Sequence, residues 1–240
     1  MRAILTFHSI DSSGSVLSCP RDRFETLLRA LEKAKMPIMT IGDLLRNETR
    51  RGVALTFDDG MKSVLTDALP VLTAFSAPAH LFLSTGFMGG DNRWPGQPPD
   101  APVFDTLDWN DVEALHAGGV HIEGHTISHP DLRLLSDSEI EAECCAANEH
   151  IRQKTGVMPR YFAFPYGYHD ARVRTLTRRH YAACVTTELR ALGEAEDNTA
   201  LPRLDSYYLQ SDYIQRNLAT PLVRTYLTFR NILRHVRSRW

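Results

Sequence analysis

The sequence predicts an α/β protein in which strand-helix units repeat around a parallel sheet or barrel, and three observations support this. Short apolar runs alternate with longer amphipathic segments from end to end. No internal repeat or low-complexity linker interrupts the alternation. At 240 residues, with 43% hydrophobic and 23% charged residues, the chain can bury a full core as one domain spanning residues 1–240.

Strands are expected at residues 3–7, 52–57, 80–84, 120–123, 161–164 and 182–186, where apolar and β-branched residues cluster between turn signals. A helix over 22–35 places Phe24, Leu27, Leu28 and Leu31 on one face. A longer one over 136–154 opens with Ser136-Asp137-Ser138-Glu139, a capping box that satisfies the first free amides. The segment 86–102 is too rich in Pro and Gly for regular structure and too long for a simple connector, which marks it as a site-lining loop. After a core of about residues 3–205, a C-terminal extension over about 211–240 reads as helical. Its last twenty residues are basic, with Arg224, Arg230, Arg234, Arg237 and Arg239 beside Leu222, Leu227, Phe229, Ile232 and Leu233. That pattern fits peripheral contact with a membrane surface or a terminal helix packed on the domain, and packing is preferred because Arg is common on ordinary exposed faces.

Composition narrows the function classes. A net charge of -2, from 27 basic and 29 acidic residues, offers no attraction to a phosphate backbone, and no nucleic-acid module is visible. No run approaches the roughly 18 apolar residues that a membrane span needs, and residues 1–8 read as a first strand, so the chain is expected in the cytoplasm. Cys19, Cys144, Cys145 and Cys184 lack CxxC spacing, and the adjacent pair would form a strained disulfide, so all four are expected as reduced thiols.

The chemistry concentrates at three strand ends. The strand Val53 to Phe57 runs into Asp58-Asp59-Gly60, which sets two carboxylates side by side. Like charges this close force one to protonate unless a cation is near, and a divalent metal bound to one of them removes the conflict. An ordinary turn explains Asp-Asp-Gly equally well when it stands alone. The second element is His125-Thr126-Ile127-Ser128-His129, just after the strand at 120–123. A spacing of four puts both imidazoles on one face if the segment makes a helical turn, so two nitrogens and the Asp59 carboxylate could share one cation and leave positions open for water and substrate. The third element is Phe164-Pro165-Tyr166-Gly167, a strand followed by a tight turn. All three fall at C-terminal strand ends, where parallel α/β folds build their sites.

Taken in order, Thr56-Phe57-Asp58-Asp59-Gly60, His125-x-x-x-His129 and Phe164-Pro165-Tyr166-Gly167 resemble the motifs of the polysaccharide deacetylases, carbohydrate esterase family 4 with its nodulation-type deacetylase domain. Phe7-His8 at the first strand end is similar to the exopolysaccharide-deacetylase-like subgroup. The resemblance implies a single distorted (β/α) barrel of about seven strands, hydrolysing an N-acetyl or similar small acyl group from an amino sugar of a glycan or lipid-linked sugar. By position it implies Asp58 as general base, Asp59, His125 and His129 as metal ligands, and Pro165-Tyr166 against the substrate with the Tyr166 amide on the oxyanion. Two imidazoles and a carboxylate suit Zn²⁺ first, with Co²⁺ or Ni²⁺ as alternatives. Two departures stand out. Ala163 occupies the place of the Arg that orients the base, and the late Leu-x-His that supplies the acid is missing, the region reading Leu201-Pro202-Arg203-Leu204-Asp205. His8 is the substitute acid expected here. Asp105-Thr106-Leu107-Asp108-Trp109 resembles a further family motif but precedes the His pair, and it reads as a helix start capped by Asp108. These departures keep open a degenerate barrel that binds carbohydrate or metal without turnover, or a hydrolase of another linear amide. The intact Asp58-Asp59 pair favours turnover, since a binder has no use for a base beside its ligand.

Overall fold

A computed structural model describes residues 1–46, 50–97, 100–218, 220, 223 and 225–231. Strand β1 (Arg2–Phe7) pairs in parallel with β2 (Gly52–Phe57), in unbroken register from Arg2 opposite Gly52 to Phe7 opposite Phe57. The sheet continues through β3 (Ala79–Leu83), β4 (Val120–Gly124), β5 (Tyr161–Ala163) and β6 (Ala183–Val185), each parallel to the one before. A seventh strand, β7 (Leu204–Asp205), lies against β1 on its other side. Just before it, Leu201 bridges Val185 of β6, with Leu201 N–H donating to the Cys184 carbonyl and Thr186 N–H to the Leu201 carbonyl, both at 2.8 Å. Segment 201–205 thus touches β6 at its start and β1 at its end and curls the sheet towards a closed barrel. The expectation of about seven parallel strands holds; β7 escapes the run-by-run reading because two residues carry no periodicity.

The strands bury both faces, which is why they read as continuous apolar runs. Ile4, Ala54, Phe82, Ala163, Ala183, Val185 and Leu201 form one cluster inside the curl. Leu5, Phe7, Leu55, Phe57, Leu81 and Leu83 alternate with them and join a second, outer cluster that takes in Phe24, Leu27, Leu28 and Leu31 of helix α1 (Arg21–Lys33), with the Phe24 ring against Phe7 and Phe57. Short helix α2 (Ile41–Leu45) plugs one end of the interior with Ile41 and Leu44. There Ile41 N–H donates to His80 Nε2 at 3.0 Å, so His80 must carry its proton on Nδ1, which donates to Glu123 at 2.9 Å. Glu123 also accepts from the amides of Arg160 and Tyr161, so this buried carboxylate is saturated with structural bonds.

Further helices are α3 (Leu69–Ala74), α4 (Trp109–Ala117), α5 (Asp137–Thr155), α6 (Ala171–Thr177) and α7 (Asp212–Arg216). Asp108 caps α4 and Ser136 caps α5, as the sequence implies; the Ser136 cap is the expected box, and the Asp108 cap proves to be reciprocal as well, through Asp111. Where described, the C-terminal segment 225–231 is helical. Val223 and Leu227 are buried in the outer core, and the Leu189 amide donates to Asn231 at 3.2 Å, so this part packs on the barrel. Arg224, Arg234, Arg237 and Arg239 lie outside the described residues, as do Leu222, Ile232 and Leu233. Among the described residues, no helix is long and apolar enough to cross a membrane.

Candidate active site

At the end of β2, Asp58 N–H donates to the Phe7 carbonyl at 2.9 Å and the chain then turns sharply. Asp59 sits at φ 74° and Gly60 at φ 88°. A side chain at Gly60 would place its Cβ 2.5 Å from Leu83, so both its backbone angle and its neighbour demand glycine. The turn aims the two carboxylates at different partners.

Asp58 is clasped by Arg203, which the sequence reading did not select. Arg203 is 1% exposed, and its Nη1 and Nη2 donate to the two Asp58 oxygens at 2.7 and 2.6 Å. Nη1 also donates to Thr56 Oγ1 at 3.2 Å, and Nε donates to the Thr186 carbonyl at 2.9 Å. Burial alone raises the Asp58 pKa, but the Arg203 charge and its forked hydrogen bonds outweigh burial and hold it below the usual carboxylate range. The cation that two adjacent carboxylates require is therefore partly a guanidinium, which corrects the argument that a metal alone must resolve their repulsion. Arg203, one residue ahead of β7, thus meets Asp58 where the sequence offers only Ala163 at the position expected for an Arg. Ala163 contributes its carbonyl instead, accepting from His125 Nδ1 at 2.7 Å.

Asp59 faces the two histidines. His125 Nε2 lies 3.2 Å and His129 Nε2 3.3 Å from the same Asp59 oxygen, and all three residues are buried. Burial pushes Asp59 upward, but hydrogen bonding to both imidazoles holds it well below the carboxylate range. Burial lowers His129; it also opposes charge on His125, where the neighbouring aspartates prevail and raise the pKa. Because a carbonyl can only accept, His125 Nδ1 carries a proton, which leaves Nε2 to face Asp59 as a hydrogen-bond donor when the ring is charged and as a lone pair, open to a cation, when it is neutral.

The two imidazoles do not converge through a helical turn, which corrects the geometry expected from their spacing. Residues 125–130 form an irregular loop with Thr126 at φ 70° and His129 at φ 54°. This conformation is held from outside. Glu143 of α5 accepts from the amides of Ile127 and Ser128 at 2.7 and 2.9 Å and from the Ser128 hydroxyl at 2.6 Å, while Ser84 donates to the His125 carbonyl at 3.0 Å. Replacing Glu143 by Ala removes three bonds to the strained loop. The expected outcome is roughly 10–100-fold weaker metal binding by calorimetry, with a native circular dichroism spectrum.

These groups open into a cavity of about 470 Å³, lined by Asp58, Asp59, His125, His129, His8 and Tyr166 among others. The loop over 86–102 supplies one wall, including Trp94, Gln97, Asp100 and Pro102, as its composition suggested. Buried Asn92 ties that loop off, donating to the Pro102 carbonyl at 3.0 Å and accepting from the Phe104 amide at 2.8 Å. Trp94 packs on the His129 ring at 4.3 Å and Tyr166 meets it edge-on at 4.5 Å. Tyr166 adopts φ 58° in the turn Pro165–Gly167. Pro165 is buried behind the turn, outside the lining of this cavity.

The family model for polysaccharide deacetylase matches residues 46–185, more than half of the sequence. The chain belongs to the polysaccharide deacetylase family. The match spans Asp58, Asp59, His125, His129 and Tyr166; His8 and Arg203 fall on either side of it. YxkH of Bacillus subtilis (strain 168) is 25% identical over 210 residues, 84% of this chain and 70% of its own. The chitooligosaccharide deacetylase of Bradyrhizobium sp. (strain ANU 289) is 30% identical over 119 residues, 49% of this chain and 47% of its own. The deacetylase PplD of Streptococcus pyogenes, solved in complex with acetate, shares the fold with a TM-score of 0.76 at 20% identity, over 90% of this chain and 96% of that one. IcaB from Ammonifex degensii aligns over 92% and 97% of the two chains, with a TM-score of 0.75 at 22% identity. The family and its fold are those that the motifs of this deacetylase imply.

Proposed function

We propose that the chain is a metal-dependent carbohydrate N-deacetylase, removing an acetyl or similar small acyl group from an amino-sugar unit of a glycan. One observation carries this reading. The two imidazole nitrogens stand 3.2 and 3.3 Å from one Asp59 oxygen. Charge-assisted hydrogen bonds are shorter, about 2.7–2.9 Å. Tetrahedral Zn²⁺ with ligand bonds of about 2.0–2.1 Å spaces its ligand atoms about 3.3–3.4 Å apart. The side chains are thus spread as ligands are, and the buried N₂O donor set fits a divalent ion of the zinc class.

Asp59, His125 and His129 would hold that ion, which when bound supplies positive charge for polarising an acyl oxygen and acidifying a water. Asp58, fixed by Arg203 and kept ionised, accepts the proton of the attacking water. Its low basicity is offset by its fixed position, which removes the entropic cost of orienting a base. The Tyr166 amide is assigned to the developing oxyanion. His8, on the cavity wall, is assigned to protonate the departing amine. Trp94, Tyr166 and Phe164 give the cavity apolar surface for the acyl methyl and the sugar ring face.

The test is acetate release from a panel of N-acetylated sugars and chito-oligosaccharides, using chain stripped of metal and reloaded with Zn²⁺, Co²⁺ or Ni²⁺. Turnover that requires both metal and an N-acetyl sugar supports the reading. Metal retained with no turnover on any amide defeats it in favour of a non-catalytic binder, and turnover only on linear amides defeats the sugar assignment.

A further inference from the structure

On a helix, adjacent residues point about 100° apart, so the Cys144-Cys145 pair of α5 splits between two environments. Cys144 is fully buried, with its thiol pushed up to about 12 by burial, and it serves the core. Cys145 is exposed, and Glu141 lies one turn before it on the same face. The turn after α6 brings His180 over both. His180 Nδ1 is 3.9 Å from the Cys145 sulfur, and its Nε2 contacts a Glu141 oxygen. A thiol sulfur, an imidazole nitrogen and a carboxylate oxygen therefore all lie within 4.8 Å of one another, outside the deacetylase cavity.

We infer that Glu141, Cys145 and His180 form a second binding site for a divalent cation of the zinc class, joining α5 to the α6–β6 turn. The donors are suited to it. A thiolate and an imidazole select borderline-soft ions over Mg²⁺ or Ca²⁺, and three protein ligands leave one position for water. Tetrahedral Zn²⁺ with sulfur and nitrogen bonds of about 2.3 and 2.0 Å spaces those two atoms about 3.5 Å apart, a few tenths inside the separation present here. Binding exchanges the Glu141–His180 contact for two bonds to the ion and releases the Cys145 proton to solvent. The other Glu141 oxygen is held by Arg179 at 3.0 Å, which orients the carboxylate from behind as outer partners of metal ligands do. This second site stands independently of the deacetylase assignment.

Co²⁺ titration of metal-free full-length chain tests the inference, because the two sites differ in one atom type. The site of Asp59, His125 and His129 has no sulfur, so filling it gives only weak visible bands. Filling the second site adds an intense near-ultraviolet thiolate-to-Co²⁺ charge-transfer band. Cys19, Cys144 and Cys184 are buried, which leaves Cys145 as the accessible thiol. The expected result is two equivalents of Co²⁺ in the native chain. Cys145→Ser and His180→Ala are each expected to lose the charge-transfer band and one equivalent while keeping full hydrolytic activity. An absent charge-transfer band, or a band that survives Cys145→Ser, overturns the inference, whereas one equivalent with the band present counts only against the site of Asp59, His125 and His129. Circular dichroism confirms folding of each variant, and this exposed cysteine tolerates serine.

Discussion

Replacing Arg203 by Met is expected to lower kcat/KM by about 100-fold or more and to cost roughly 3–5 kcal/mol of stability, because it strands the Asp58 carboxylate in a buried site. In a chain of this length that corresponds to a fall of about 10 °C or more in Tm. Arg203→Lys does not rescue fully, since a single ammonium cannot reproduce the fork that meets both Asp58 oxygens and Thr56. The pH profile separates positioning from mere scaffolding. Arg203 lowers the Asp58 pKa. Without it the carboxylate protonates at higher pH, so the acid limb of kcat/KM moves upward. The stability contribution has the matching sign: with a depressed folded pKa, the pair stabilises fully above the unfolded aspartate value and loses that stabilisation as pH falls through the folded one. Asp58→Asn should abolish turnover by about 10³-fold with metal content unchanged. It also strands the guanidinium, so the double variant with Arg203→Met should be more stable than either single one. An unmoved acid limb, or additive stability losses in the cycle, would show that Arg203 merely fills space.

Why this pair escaped a reading of the sequence, while the cluster of Asp59, His125 and His129 did not, follows from how each is encoded. Asp59, His125 and His129 lie in short motifs at the ends of long apolar strands, so periodicity finds the strands and chemistry finds the ends. The caps of α4 and α5 are equally local and equally legible. Arg203 has no such context. It sits in a segment whose strand is two residues long, and its partner is 145 positions away. The one sequence signal was an Arg inside an otherwise apolar Leu-Pro-Arg-Leu run, an expensive residue to bury without a carboxylate to meet it. The His loop shows the opposite failure. The side chains do come together, but not by the expected geometry, because a spacing of four suggests a helical turn whereas Glu143, Ser84 and the strained Thr126 and His129 build a loop. Glu143 is invisible to motif reading, since its role depends on which face of α5 meets which loop.

Removing the side chains proposed to hold the metal should have the other large effect. His125→Ala or Asp59→Ala is expected to lower metal affinity by several orders of magnitude and to leave no measurable deacetylation. Chelation of the native chain should give the same loss of activity, restored by Zn²⁺, Co²⁺ or Ni²⁺ to different extents. The two routes should differ in stability. Chelated native chain retains hydrogen bonding between Asp59 and both imidazoles, which holds the carboxylate in a buried setting. It should stay folded and lose only the linkage contribution of the bound ion, about 2.7 kcal/mol at a free metal concentration 100 times Kd. His125→Ala removes one of those partners together with the bond to the Ala163 carbonyl, so it should destabilise even the metal-free chain. Asp59→Asn offers the contrast: it removes the buried charge and keeps the shape, and should fold well while binding metal poorly. Differential scanning calorimetry with and without chelator, on the same three proteins assayed for acetate release, separates these cases. Full activity in stripped native chain, or in Asp59→Asn, would rule out a cation held by Asp59, His125 and His129 and leave hydrolysis to Asp58 and Arg203 alone.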